Sequence, residues 1–237
     1  IAFTDASTNS PTSWSWSSSP STGVTITTAT TQNPTMTFST AGTYTISLTA
    51  TNGAGSSTPT TQVITVSALP TITATSQTVC AGTSASITGS GGTTYSWNTG
   101  ATTASISVTP TVTTTYTVTG TSSTTGCSNT ATSAVTVNAL PNVTAASQTI
   151  CAGATATVTA SGASTYSWNT GATTASINVT PTTTTNYTVT GTGANGCTKA
   201  VTATVTVNTT PTVAATSQTV CAGTSASITG SGAATYS

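Results

Sequence analysis

Along most of this chain apolar and hydroxyl side chains alternate one for one. TYTISLTATN (43–52) sets Tyr44, Ile46, Leu48 and Ala50 on one side and Thr or Ser on the other, the period-two signature of a half-buried strand. TYTVTGT (115–121) and NYTVTGT (186–192) repeat the design, and no window shows apolar residues at helical spacing. The abundant Thr and Val suit a pleated surface. The pattern predicts an all-β protein. In TYSWN, Tyr95 and Trp97 lie two apart and share a face, as do Tyr166 and Trp168; NTGA then supplies a turn and ASISV begins another strand. Large aromatics provide much of the buried area of a small sandwich, so Trp16, Trp97, Trp168, Tyr44, Tyr116 and Tyr187 are the expected core aromatics. The competing reading is a sugar-binding platform of exposed rings built from Trp14, Trp16, Trp97 or Trp168.

The strand pattern is itself repeated. TYSWNTGATTASI stands at 94–106 and again at 165–177, a period of 71, and SQTVCAGTSASITGSG at 76–91 returns unchanged at 217–232. The expected modules are residues 1–68, 69–139 and 140–209, followed by the opening of a further repeat at 210–237. The chain start, IAFTD, reads as a strand entering a turn and so as an internal cut. The joints SALP (67–70), NALP (138–141) and NTTP (208–211) each carry a proline before the next module, which limits flexing and suggests tandem sandwiches in a rod. Each full repeat holds two cysteines, Cys80 with Cys127 and Cys151 with Cys197, 47 and 46 residues apart. That regularity predicts disulfides Cys80–Cys127 and Cys151–Cys197 within the repeats. Cys221 is left over; either its partner falls one such interval further on, past Ser237, or it is a free or intermolecular thiol. Disulfides would stabilise small Thr-rich modules with modest cores, and they persist in oxidising surroundings, so an extracellular or cell-surface location is expected.

Composition narrows the chemistry sharply. Among 237 residues, nearly half of them Ser or Thr, the one acid is Asp5, the one base is Lys199, and there is no Glu, Arg or His. Acid–base catalysis needs a group that exchanges protons near working pH, and a hydroxyl nucleophile needs a neighbouring base. No enzyme activity is therefore expected, and no cofactor. Nucleic acid requires clustered cations, calcium several carboxylates, and zinc four close thiolates or imidazoles. None of those sets is present in the sequence, and isopeptide cross-links lack their assisting acid. No apolar run approaches the roughly 20 residues that span a bilayer. Uncharged strand edges tend to pair with other chains, so self-association with neighbouring copies or a glycan coat is expected. N-x-S/T sequons occur at Asn142, Asn178, Asn186 and Asn208.

The first module lacks cysteine but follows a related plan. FTDAST, SWSW, QNPTMTF, AGTYTISLTATNGAGSS and VITV, in that order, resemble the PKD domain, a β-sandwich of extracellular proteins. The family's opening strand would precede Ile1, and SSSPSTG (17–23) stands where the family usually has an acidic, glycine-containing turn. The later units, with C-A-G, Y-S-W-N-T-G, T-Y-T-V-T and G-C landmarks, resemble immunoglobulin-like repeats of very large surface and gliding-associated adhesins of Bacteroidota type, commonly exported by the type IX route. The resemblance implies a non-enzymatic stalk of a surface adhesin or filament. The alternative is a set of accessory modules, carbohydrate-binding or spacing, beside the catalytic domain of a secreted enzyme.

Overall fold

A computed structural model describes residues 1–234; the final TYS (235–237), which would begin the third copy of the tryptophan strand, lies outside the described residues. Among the described residues every regular element is a strand, and each sheet draws its strands from one module.

In the first module, β1 (Ser13–Ser19), β4 (Gly42–Asn52), β5 (Gly55–Ser56) and β6 (Thr60–Val66) form one sheet. The other contains β2 (Val24–Thr27) and β3 (Thr35–Phe38). The long β4 pairs antiparallel with β1 along one edge, Trp16 opposite Leu48, and with β6 along the other, Tyr44 opposite Ile64. Its alternation buries Tyr44, Ile46 and Ala50 as the pattern predicts. Trp16, Tyr44 and Ile46 from the larger sheet meet Met36 from the smaller one in a common core. Phe3 tilts against Trp16 and Phe38 against Tyr44, with ring centroids 5.8 and 5.0 Å apart.

The first full repeat holds β7 (Thr73–Ala74), β8 (Gln77–Cys80), β9 (Ala85–Ser90), β10 (Thr94–Trp97), β11 (Ser105–Val108), β12 (Thr114–Thr121) and β13 (Ser128–Asn138). These form sheets β10-β12-β13-β8 and β11-β9-β7. The second contains β14 (Thr144–Ala145), β15 (Gln148–Cys151), β16 (Ala156–Ser161), β17 (Thr165–Trp168), β18 (Ser176–Val179), β19 (Thr185–Thr192) and β20 (Thr198–Asn208), in sheets β15-β20-β19-β17 and β14-β16-β18. Its core joins Ala156, Val158 and Ile177 of one sheet to Trp168, Tyr187, Val189, Ala203 and Val205 of the other. Within the larger sheet β15 lies parallel to the last strand β20, with Cys151 opposite Asn208. The described residues after the second repeat carry a short pair, β21 (Ala214–Ala215) with β22 (Gly230–Ser231).

The outward faces carry hydroxyls that bond across strands. Thr144 meets Ser161 at 2.8 Å, Thr159 meets Ser176 at 2.9 Å, and Thr157 donates to Asn178 Oδ1 at 2.8 Å. Such cross-strand pairs stabilise the sheet without apolar contact. They occupy the side that alternation leaves to water.

Contact density divides the chain into two compact units. One comprises Ile1–Gln77, Ser84–Val108 and Thr114–Thr136, the other Thr78–Thr83, Thr109–Thr113 and Val137–Ser237. The second unit thus takes the end of β8 and a short loop from the first repeat.

Candidate functional site

The buried tryptophans offer no platform. Trp97 and Trp168 are each 3% exposed and Trp16 8%, while Tyr44, Tyr116 and Tyr187 are buried beside them. Trp14 is half-buried. In both full repeats the NTGA turn folds back under the indole: Trp97 N–H donates to Ala101 O and Trp168 N–H to Ala172 O, each at 2.8 Å. The ring nitrogens then donate to Thr103 O and Thr174 O, each at 2.9 Å. Trp16 Nε1 donates to Thr31 O at 3.1 Å. A buried indole with its N–H satisfied contributes to the core and presents no face to a sugar ring.

Asp5 organises the entry to the first module. It accepts from the backbone N–H and hydroxyl of Ser7, from Trp14 Nε1 at 2.7 Å and from Gln32 Nε2 at 3.4 Å. Partial burial alone would raise its pKa, but these donors together outweigh that and hold the carboxyl below its usual 3.8. Lys199 is exposed opposite Gly191 in β20, in the other compact unit. The two charged side chains thus belong to different compact units. Among the described residues no group of three or more His, Cys, Asp or Glu is placed to hold a metal.

The cysteines correct the expected pairing. Cys80 is bonded to Cys197, across 117 residues, with Cα atoms 5.6 Å apart. Neither Cys80–Cys127 nor Cys151–Cys197 forms; Cys127, Cys151 and Cys221 are thiols. The last strand of each repeat supplies the reason. Cys197 immediately precedes β20 and Cys151 lies opposite its final residue Asn208; the same holds for Cys127 before β13 and Cys80 beside Asn138. An 11-residue strand separates its ends by roughly 33 Å, whereas a disulfide needs Cα atoms within about 7 Å. Cys80 and Cys127 also fall in different compact units.

The bond sits at the linker. Ala81 N–H donates to Asn138 O at 2.9 Å, fixing the end of β8 beside the end of β13, and Gly82 (φ +76°) turns the chain away. The turn preceding Cys197 closes with Gly196 N–H to Gly193 O at 3.0 Å and Gly193 N–H to Cys197 O at 2.8 Å. Asn195 secures it twice: Oδ1 accepts from Cys197 N–H at 3.1 Å, and Nδ2 donates to Ala139 O at 2.9 Å. The hairpin of the second repeat is therefore tied by a side-chain amide to the linker and by a covalent bond to the first repeat's strand. Cys197 is completely buried there. Beside it lies an open depression of about 420 Å³ lined by Ala139, Pro141, Ala163, Ser164 and Asn195. Asn195 is already engaged within the junction, which leaves the depression little polar chemistry to offer a ligand.

Residues 1–66 match the PKD domain. Within that matched segment the buried Trp16, the Tyr44 hydroxyl donating to Thr40 O at 2.8 Å, and the Asp5–Trp14 bond are the internal fixtures. The SSSPSTG turn includes a cis Ser19–Pro20 bond and carries no charged side chain. No curated protein matches the sequence. Among solved structures, the I67–I69 fragment of the titin I-band has 12% identity, covering 82% of this chain and 87% of that one, with a TM-score of 0.30. Immunoglobulin domains 1–4 of Sidekick-1 have 16% identity over 92% of this chain and 71% of theirs, TM-score 0.25. SGBP-B of the Bacteroides ovatus mixed-linkage glucan utilization locus, solved with a mixed-linkage heptasaccharide, has 17% identity over 86% and 62%, TM-score 0.21. Likenesses of this strength carry no functional weight.

Proposed function

We propose that this protein is a non-enzymatic spacer: a run of β-sandwich modules that holds two parts of a larger extracellular assembly apart, as the stalk of a surface adhesin or filament. The observation that supports this reading is the Cys80–Cys197 bond, which spends the one disulfide on a joint between repeats and not on either core. A bond at that place resists separation of neighbouring repeats and leaves recognition unchanged. It also favours an oxidising location outside the cytoplasm. Burial of the Trp97 and Trp168 indoles weighs against the carbohydrate-binding alternative. Neutral, hydroxyl-covered faces lack the charge that keeps sheets apart, so neighbouring copies of the chain are its natural partners.

Small-angle scattering of the purified oxidised chain tests the reading. A compact globule of this length has a radius of gyration of roughly 18 Å. A spacer is expected well above that value, with no retention on immobilised polysaccharides. A radius near the globular value, or saturable polysaccharide binding, would overturn it.

A further inference from the structure

The disulfide has a direction along the chain. Its first sulfur comes from the strand-end cysteine of one repeat and its second from the hairpin cysteine of the following repeat. Cys151 repeats the first half of that arrangement. It ends β15, whose sequence QTIC answers to QTVC in β8, and it lies opposite Asn208 as Cys80 lies beside Asn138. Ala152 N–H donates to Asn208 O at 3.0 Å, as Ala81 N–H does to Asn138 O at 2.9 Å. Gly153 turns at φ +78°, as Gly82 does at +76°. The cysteine inside its own repeat, Cys197, is at the other end of β20 and is already bonded to Cys80.

We infer that Cys151 is a second covalent docking site, built to take the hairpin thiol of a repeat of this same type placed after residues 140–209. The inference goes beyond the spacer reading, because it gives the array a polarity: every strand-end cysteine reaches forward and every hairpin cysteine backward. Under that rule Cys127 is a hairpin cysteine whose upstream neighbour, the PKD module, contains no cysteine. Cys221, followed by Gly223 at φ +89° and accepting from Thr224 N–H at 3.2 Å, is a further forward-reaching cysteine. Two forward-reaching cysteines do not pair, which accounts for Cys151 and Cys221 being exposed thiols together.

Bond formation breaks two S–H bonds and makes one S–S bond. The two protons and two electrons pass to a small-molecule disulfide such as oxidised glutathione, which leaves as two thiols.

The test uses the whole chain in three forms, each refolded in a glutathione redox buffer, alkylated and mapped without reduction. In the unaltered chain, Cys80–Cys197 is expected with Cys151 fully alkylated, and in Cys80→Ser, Cys197 is expected to become alkylatable. A Cys151–Cys197 bond in either would overturn the rule. The third form is extended after Ser237 by a copy of residues 168–208, with Arg in place of the copied lysine so that the added hairpin peptide has its own mass. The expected result is loss of Cys151 alkylation and a bond from Cys151 to the added cysteine, with Cys221 still a thiol. A bond from Cys221 to the added cysteine, or an added cysteine that leaves Cys151 alkylated, would overturn the inference.

Discussion

Cys80 and Cys197 stand 117 residues apart in sequence, yet their Cα atoms are 5.6 Å apart and their sulfurs are joined. A bond closing so long a loop removes about 5 kcal/mol of unfolded-chain entropy in the simple loop-closure treatment. Replacing either cysteine by serine should destabilise the second compact unit by an amount of this order or less, seen as a lower denaturant midpoint. The same loss should follow reduction of the unaltered chain. Cys127→Ser and Cys151→Ser should leave the midpoint unchanged, and denaturation curves of these chains decide the matter.

Trp168 is 3% exposed and its indole nitrogen is satisfied by Thr174 O. Trp168→Ala should cost about 3–5 kcal/mol, as large-to-small changes at buried aromatics do. Trp168→Phe, which keeps most of the volume but leaves the Thr174 carbonyl without its donor, should cost less. Equilibrium unfolding followed by circular dichroism gives both numbers without depending on the lost fluorophore.

Acid should act on this protein through very few groups, since Asp5 is the one side-chain carboxyl. Its folded-state pKa lies below 3.8, so the stability it contributes is fully present above that value and is lost as pH falls through the lowered folded pKa. The first module should therefore hold constant stability through mildly acidic pH and weaken below about 3.8. Asp5→Asn should flatten that decline, and thermal melts at successive pH values would show it. A decline of equal size in Asp5→Asn would contradict the assignment.

Two glycines of the second repeat share a left-handed backbone but differ in surroundings. Gly171 (φ +88°) has open space where a Cβ would go, while a Cβ on Gly162 (φ +88°) would lie 1.9 Å from the Asn142 carbonyl oxygen. Gly171→Ala should cost about 1–2 kcal/mol, the penalty for a left-handed L-residue. Gly162→Ala adds a collision with backbone, and should cost about 3 kcal/mol or more. Comparing the two melting temperatures separates backbone preference from crowding.

How much of this could be read from the residues differs from feature to feature. One-for-one alternation gave the strands, because side chains on a pleated strand must point to opposite faces; Tyr44, Ile46 and Val189 are buried where the pattern places them. The TYSWNTGA string was legible as strand, turn and core aromatic, since Trp97 and Trp168 each fold with their own following turn. Asp5 was visible as the only acid, but its hold on Trp14 and Gln32 joins segments 9 and 27 residues apart and no local pattern announces it. Ser133 is similar: buried in the first repeat where the second has Ala203, it donates to Thr75 O from 58 residues away.

Cysteine pairing marks the boundary. By itself the sequence determined the strands, the repeat, the near-absence of charge and the presence of paired cysteine positions. Even spacing within each repeat is equally compatible with bonds inside a repeat and with bonds from one repeat to the next, because tandem copies preserve both intervals. Only the tertiary structure chose, by laying β13 and β20 as straight 11-residue strands whose two ends each carry one cysteine. A strand holds its ends roughly 33 Å apart, so each cysteine can be joined only to a partner that folding brings to its own end.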